Sequence, residues 1–455
     1  MRKLDSRKQL RLQLKRGRKT IKRRRANRTY FNRLTAEAKE ISFKKDADSK
    51  VLKSFKFELN DFLDEKGNIP SKKLDTEIVI PDDFSLESNY DETILTLSLI
   101  RKSLFRFLGN RFNIDFAKCK NADFSGLFLL KVILEECIRE LKRLDKSLQY
   151  IKSIPEIRIH RSEKEEVNLR LLANGIIQRT QNKEVNFIPV SKLNLITGRR
   201  NQKHYAENKK GSATTTIREY INVSLKRHHF ELNAVGTGYL DGLISEILNN
   251  AEDHSIFDRW YVYANLFETK RDSTNLEIVS EINLAFLNFG NSIFEGFEET
   301  KIQNHKVYNE MDSLYKIIYD TYRGKRFSKE NLFTLYALQE GNSRLKYEKE
   351  SRGTGTMKFI NSFLSLGDYE DKDKNYLPHL LIYSGATMLK CDNKYKPFLI
   401  ENSFYLSLND SNDMTIPPES SHLRSLDSRF PGTLLIGKLY LNEDHLKNKI
   451  ENDGS

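Results

Sequence analysis

The chain has 455 residues, of which 76 are Lys or Arg and 63 are Asp or Glu, so its formal charge is +13. This length is enough for two or three domains that each bury a core. No run of about eighteen apolar residues is present, which excludes a membrane-spanning helix, and the basic N-terminus lacks the apolar stretch of a secretory signal. Three cysteines without metal-ligand spacing fit a reducing compartment, so we expect a cytoplasmic protein, and the composition is typical of an AT-rich bacterial genome.

The whole charge excess lies in a basic N-terminal arm. Residues 1–40 contain 16 Lys+Arg against 3 Asp+Glu, and the rest of the chain is balanced. Such a segment repels itself, so we expect residues 1–50 to be disordered or helical. Its charge favours salt-sensitive nucleic-acid binding, although only Tyr30 and Phe31 could stack on bases. An acidic protein partner, or a tail that only aids solubility, fits the same charge.

The next informative segment combines a strand with a polar turn and an apolar helix. Residues 112–116 alternate in the manner of a strand, and Asp123-Phe124-Ser125-Gly126-Leu127 then opens an apolar run. This order resembles the STAS domain of anti-sigma-factor antagonists, whose motif is D-S-[ST]-G-L, with Phe124 in place of the first serine. The resemblance implies an α/β module and makes Ser125 a candidate phosphosite. A plain helix cap made by the same residues is the alternative.

The STAS-like module is expected to span residues 51–195. A strand near 153–159 and a helix near 163–173 would continue its α/β alternation. The polar, glycine- and serine-bearing stretch 201–216 predicts an exposed loop or linker. The remaining residues, 196–455, are expected to form a second domain.

Within this second domain, Glu246, Asn250 and His254 are spaced four residues apart, with Ala251 beside the middle one. On a helix this spacing places a carboxylate, an amide and an imidazole along one face. The amide oxygen can ligate Mg²⁺, and the carboxylate can orient or deprotonate an attacking water. On its own, however, the pattern also fits a solvated helix face, and His254 also fits a packing or capping residue at a helix end.

Two later segments place glycines beside polar residues. The run 281–293 alternates like a strand and ends in Asn288 and Gly290. The stretch 351–360 predicts a glycine turn that opens an amphipathic helix reaching about Leu366, which would present backbone N–H groups to an anion. Close to the C-terminus, 430–440 predicts a turn followed by a strand.

This ordered set resembles the GHKL ATPase superfamily over about residues 215–440. The N-box of that family, E-x-x-x-N-A-x-x-H, is complete, and the G1 box (D-x-G-x-G), the G2 box (G-x-G) and a terminal G-T follow in order. The resemblance implies a Bergerat-fold α/β sandwich that binds ATP and Mg²⁺. It assigns Glu246 as general base, Asn250 as Mg²⁺ ligand, Asn288 and Gly290 beside adenine, Gly353, Thr354 and Gly355 around the phosphates, and Thr433 on the base side.

The G1 box departs from the family pattern at two positions. Asn288 stands where the family has an aspartate that accepts a hydrogen bond from the adenine amine. An amide oxygen can accept the same bond but carries no charge, so the bond should be weaker. Ser292 stands where a second glycine is usual. We therefore expect adenine affinity and selectivity to be affected more than catalysis.

Three functions fit these residues. The first is an ATPase, or a nucleotide-dependent switch, built on the GHKL-like domain. The second is an anti-sigma-type serine/threonine kinase that could act on Ser125, and the third is a nucleic-acid-associated scaffold that binds ATP without turnover. Residues 308–350 fit either an ATP lid or an ordinary insertion, and the oligomeric state is open, a homodimer included.

Overall fold

The computed structural model describes most of the chain after the basic arm. The described residues are 76–106, 111–148, 155–178, 187–199, 206–253, 259–270, 278–322, 327–342, 355–366, 377–401, 403–444 and 446–447. They form a mixed α/β structure, which confirms the coarse fold class expected from the sequence.

The upstream part is a small parallel α/β unit. Its elements are β1 (Glu77–Val79), β2 (Asp83–Phe84), α1 (Tyr90–Arg106), β3 (Arg111–Asp115), β4 (Asn121–Ala122), α2 (Phe124–Leu148), β5 (Glu156–His160) and α3 (Glu165–Ala173). Strands β1, β3 and β5 pair in parallel in that order, and β2 pairs in parallel with β4. Parallel pairing requires crossover connections, which α1 and α2 supply. The strands and helices expected between 112 and 173 are confirmed.

The rest of the described chain forms a six-stranded antiparallel sheet and the helices that cover it. The elements are β6 (Phe187–Lys192), β7 (Ile196–Arg199), α4 (Ala206–Lys226), α5 (Ala234–Asp253), β8 (Arg259–Lys270), β9 (Ile278–Phe289), α6 (Ile293–Thr300), α7 (His305–Thr321), α8 (Lys329–Ala337), α9 (Gly355–Leu366), β10 (His379–Asp392), β11 (Phe398–Ile400), β12 (Ser403–Tyr405) and β13 (Leu423–Leu441). The strand order is β10-β13-β9-β8-β6, with β7 also paired to β8. A separate hairpin joins β11 to β12.

The two faces of the large sheet carry two different cores. Alternate residues such as Ile282, Leu284 and Phe286 pack under the helices from α4 to α9, and we call this the helical face. The residues between them, such as Ala285 and Leu287, pack against the upstream unit. This alternation follows from the period of two in a strand. Both faces of the central strands are therefore buried.

Aromatic stacking and buried ion pairs hold the upstream unit on the sheet. Phe124 and Phe128 both stack on Tyr263 of β8, with ring centroids 6.0 and 6.2 Å away. Arg259 at the start of β8 pairs with Glu136 of α2, and both side chains are buried. Strand β6 lies before the expected boundary at residue 195 yet pairs with β8 of the large sheet. The expected domain boundaries stay a prediction.

Two local expectations are wrong. The loop expected over 201–216 is helical from residue 206 onwards, as the first half of α4. Its apolar residues Ala213 and Ile217 pack into the core of the sheet, so tertiary packing outweighs the weak helix propensity of the glycine and threonines. The turn expected near 430 is absent, because β13 runs through Pro431 and Gly432 between two partner strands.

Within the part of the chain that the structure describes, none of the helices combines the length and the apolarity needed to cross a bilayer.

Candidate functional site

Helix α5 carries Glu246 and Asn250 on the edge of its packed face. Ile247, Leu248 and Ala251 are buried in the core above the sheet, which fixes the rotation of the helix. Glu246 is then exposed and Asn250 half-buried, one turn apart. The two side chains thus lie one turn apart on a helix, as their spacing predicted, and their functional roles stay a prediction.

The first turn of α9 lies directly against Glu246. A Cβ atom on Gly355 would lie 2.7 Å from both Cβ and Cγ of Glu246, closer than real Cβ contacts allow. Only glycine permits this approach. The residue expected to cradle phosphate is therefore in contact with the expected general base.

Asn250 is held by the same turn. Its Nδ2 donates a hydrogen bond to Oγ1 of Thr356 over 3.0 Å. This bond fixes the orientation of the amide and occupies its nitrogen. Within the described part of the chain the carbonyl oxygen, which is the atom that a hard cation prefers, remains for another partner.

A polar row crosses the helical face of the sheet. Trp260, Asn288, Thr433 and Ser384 occupy directly paired positions on β8, β9, β13 and β10. Ser384 Oγ lies 3.0 Å from Thr433 Oγ1 and also accepts a hydrogen bond from the backbone N–H of Ile293. The expected G1 and G-T residues, Asn288 and Thr433, are thus cross-strand neighbours.

Asn288 is the unusual member of this row. It is 4 % exposed, and its Nδ2 has no hydrogen-bond partner among the described residues. Leaving a buried donor unpaired costs about 1–3 kcal/mol. The neighbouring Nε1 of Trp260 is buried and unpaired in the same sense. The indole of Trp260 lies over Gly198 of β7, so the donor that faces the row is that of Asn288. A ligand that presents an acceptor atom to the row would satisfy this donor, so the residues fit a bound nucleobase.

Two glycines shape the chain beside Asn288. Gly290 has a φ of 145° and Gly432 a φ of 130°, values that other residues rarely adopt. A Cβ on Gly432 would lie 2.1 Å from the carbonyl oxygen of Asn288. Ser292, which replaces a family glycine, caps α6: its Oγ accepts the N–H of Glu295 and the Glu295 carboxylate accepts the N–H of Ser292.

Two contacts show which way α9 points. Phe359 packs edge-on against Phe286, with ring centroids 6.4 Å apart. Four residues further along α9, Phe363 lies over Gly437, the partner of Leu284 on β9. Moving toward the C-terminus of α9 therefore moves away from Asn288 along β9. The N-terminal turn of α9, with Gly355 and its neighbours, points toward the Asn288 end of the strand.

The expected site residues that the structure describes form two groups. Glu246, Asn250 and Gly355 lie together, and Asn288, Gly290 and Thr433 lie together on the same side of the sheet. Gly353, Thr354 and His254 fall outside the described residues, as do the basic arm 1–50 and the final part of the expected lid region, 343–350.

Ser125 lies at the buried start of α2. Asp123 accepts the N–H of Gly126 over 2.9 Å, as a helix cap does, and Ser125 Oγ accepts the N–H of Leu86 over 3.0 Å. Ser125 is 2 % exposed, and burial raises the pKa of the adjoining Asp123. The cap interpretation matches this geometry. Phosphorylation of Ser125 stays a prediction, and it would require this contact to open.

Three residues of the site were missed from the sequence. Thr356 lies in an unremarkable helix start, and Trp260 and Ser384 each stand among mostly apolar neighbours in a strand. For Ser384 a signal was present, since a serine–glycine pair interrupts the run from Leu380 to Leu389. Its pairing with Thr433 could not be known without the strand register.

One cluster of three metal-binding side chains is found elsewhere in the described residues. Glu77, Asp115 and His160 place ligand atoms within 4.8 Å of one another on the open face of the small parallel sheet. Their side chains are partly exposed, and Nδ1 of His160 lies 3.8 Å from Oε1 of Glu77 and 3.9 Å from Oδ1 of Asp115. This cluster is separate from Asn250, the residue expected to hold Mg²⁺.

Comparisons of the chain with protein families, with curated proteins and with solved structures gave no match in any of the three.

Proposed function

We propose that the region containing the large sheet is a GHKL-like nucleotide-binding unit of Bergerat type, which binds ATP with Mg²⁺ and hydrolyses it or uses it as a switch. The observation that carries this proposal is the joining of the N-box helix to the start of α9. Glu246 packs on Gly355, and Asn250 is hydrogen-bonded to Thr356. Contact between residues of two separate motifs supports the resemblance.

Each group has a chemical role in this proposal. The carbonyl oxygen of Asn250 would ligate Mg²⁺, which when bound neutralises phosphate charge. Glu246, exposed beside it, would orient or deprotonate the attacking water. The backbone N–H groups and the dipole at the start of α9 would stabilise the phosphates.

The base would face the polar row at the other end of the site. Asn288 would hydrogen-bond the purine through its side-chain amide, and Thr433 would contribute its hydroxyl directly or through a water. The unpaired Nδ2 of Asn288 supports this placement, because a bound base would satisfy it.

The packing of the upstream unit supports a switch. Leu287 and Phe289 flank Asn288 on β9 and point to the opposite face, into the core shared with α1 and α2. A shift of this strand end on nucleotide binding would therefore reach the STAS-like unit directly. Close-packed cores transmit such displacements rather than absorbing them.

Substitution of Asn250 by Ala tests nucleotide binding. We expect the Mg²⁺-dependent rise in melting temperature with ATP to be lost, because the metal ligand is removed. The control is Asn249→Ala, the adjacent residue, which accepts a bond from Lys210 and should keep the rise. Equal behaviour of the two variants would contradict the assigned role of Asn250.

Substitution of Glu246 by Gln tests turnover. We expect phosphate release to fall by a factor on the order of 10²–10⁴ while ATP still binds. Unchanged release would remove Glu246 from the mechanism. Absence of release from the wild-type protein, with binding retained, would leave the switch without hydrolysis.

Substitution of Gly355 by Ala tests the contact itself. The added methyl group would displace Glu246 or α9, so nucleotide binding and turnover should both fall. Gly242→Ala on the exposed side of α5 is the matched control, because its Cβ would meet no atom within 4 Å. This control should keep activity and add about 0.5–1 kcal/mol of stability.

A further inference from the structure

The side chain at position 288 has a property that a carboxylate lacks. Its amide carries a donor and an acceptor, whereas an ionised carboxylate only accepts hydrogen bonds. The Nδ2 donor is buried and unpaired among the described residues. The direct cross-strand neighbours of Asn288, which are Trp260 and Thr433, are neutral, so the row itself adds no charge.

The two purines differ at the edge that this amide would meet. Adenine presents an N6 amino donor beside the N1 acceptor, and guanine presents an O6 acceptor beside an N1–H donor. A carboxylate held opposite position 6 of the purine accepts from the adenine amino group, and with the base in the same orientation it is repelled by guanine O6. An amide can pair with either edge through two hydrogen bonds, after a half-turn of its terminal group. Discrimination between the bases therefore depends on which side chain stands here.

We propose that Asn288 makes the base subsite accept 6-oxopurine nucleotides such as GTP in addition to ATP. This inference rests on the proposed function, because it concerns the same site. The orphaned donor carries it: O6 of guanine and N1 of adenine are both acceptors that Nδ2 could reach with the same strand geometry.

Thr433 and Ser384 are compatible with either base. Their hydroxyls lie 3.0 Å apart, and each can donate or accept. If Thr433 changes from donor to acceptor toward the base, Ser384 can change its own role toward Thr433 in response. Ser384 Oγ also accepts the N–H of Ile293, which holds it in place without setting the direction of its own proton. Neither hydroxyl is therefore restricted to accepting hydrogen bonds, so neither would exclude guanine O6 from this position.

Calorimetric titration with the β,γ-imido analogues of ATP and GTP, each with Mg²⁺, tests the inference without hydrolysis. For the wild-type chain we expect the two dissociation constants to agree within about tenfold. Asn288→Asp should weaken the GTP analogue at least about tenfold relative to the ATP analogue, because the carboxylate faces O6. A pyrimidine analogue, that of UTP, serves as the control for binding through the phosphates alone.

The outcomes separate the two proposals. If the wild-type chain binds the ATP analogue and the GTP analogue is more than about tenfold weaker, the inference is overturned and the proposed function stands. If neither analogue binds, both are overturned. Equal affinity for all three analogues, UTP included, would also overturn the inference, since the base would not be read. The wild-type ratios decide even if Asn288→Asp does not fold.

Discussion

The two faces of the large sheet carry two contrasting buried polar side chains, Glu281 on one face and Asn288 on the other. On the face toward the upstream unit, Glu281 is fully buried and engaged: Arg170 lies 3.3 Å away and Asn283 donates to it over 2.8 Å. Burial alone would raise its pKa, but Lys438 and Arg170 lower the pKa of Glu281 to about 2. On the helical face, the row that contains Asn288 is neutral, and Asn288 Nδ2 is unpaired among the described residues.

This difference separates a structural network from a candidate ligand site. A buried charge must be compensated within the protein, as Glu281 is, or the fold loses several kcal/mol. A neutral unpaired donor costs less and can be compensated by a ligand that comes and goes. The same two strands, β8 and β9, thus hold the upstream unit on one side and present the polar row on the other.

Removing Arg170 should have the largest effect on stability. Among the described residues, Arg170→Ala leaves Glu281 buried with Lys438 as its remaining cation at 3.9 Å, so we expect the free energy of unfolding to fall by about 3 kcal/mol. Urea denaturation followed by fluorescence measures this change. Glu166→Ala is the control, because its exposed pair with Arg170 should contribute less than about 1 kcal/mol. Similar losses in both variants would contradict the structural role of the network.

Lowering the pH should destabilise the chain through His379, a smaller effect. Burial, and then the charge of Lys438, lowers the pKa of His379 to about 4, although Glu87 lies 3.7 Å away. The folded state therefore favours the neutral ring, so its contribution is complete above about pH 6.5 and is lost as the pH falls toward 4. We expect a loss on the order of 2 kcal/mol over this window.

The measurement is the free energy of unfolding at several pH values for the wild type and for His379→Asn. The variant should show a flatter profile between pH 6.5 and 4. Lys390 pairs with Glu87 and also lowers the pKa of His379, so it is kept unchanged in both proteins. If the free energy of unfolding of His379→Asn depends on pH as steeply as that of the wild type, other residues cause the loss of stability.

A matched pair of asparagines gives the smallest and most specific test of the comparison. Asn265→Leu breaks bonds to Asn174 and Asn283 in the buried network, so it should cost about 1–3 kcal/mol. Asn288→Leu removes the unpaired donor and should be neutral or stabilising by about 1 kcal/mol, while nucleotide affinity falls. Thermal unfolding with and without ATP and Mg²⁺ checks both. Equal destabilisation by the two variants would contradict the distinction between a structural network around Asn265 and a ligand site at Asn288.

Local sequence patterns predicted much of this arrangement. The alternation before Asn288 and the spacing of Glu246 and Asn250 gave the correct strand and helix, because each signal lies within one element. Helix α4 was missed because its polar residues hide a stripe of apolar positions, Ala213 and Ile217 among them, that is buried only once the sheet exists.

The assembly of the site could not be predicted in the same way. The register that places Asn288 beside Thr433 joins strands about 145 positions apart in the chain, and no local pattern specifies such a pairing. The contact between Gly355 and Glu246 likewise depends on the packing of α9 against α5. Nor does any local pattern show that Phe124 stacks on Tyr263.

The most direct test of the account is a calorimetric titration of the wild-type chain with an ATP analogue that resists hydrolysis. We expect one site per chain, with affinity that falls sharply when Mg²⁺ is chelated. Titration of well-folded protein that shows no binding in the presence of Mg²⁺ would contradict the account.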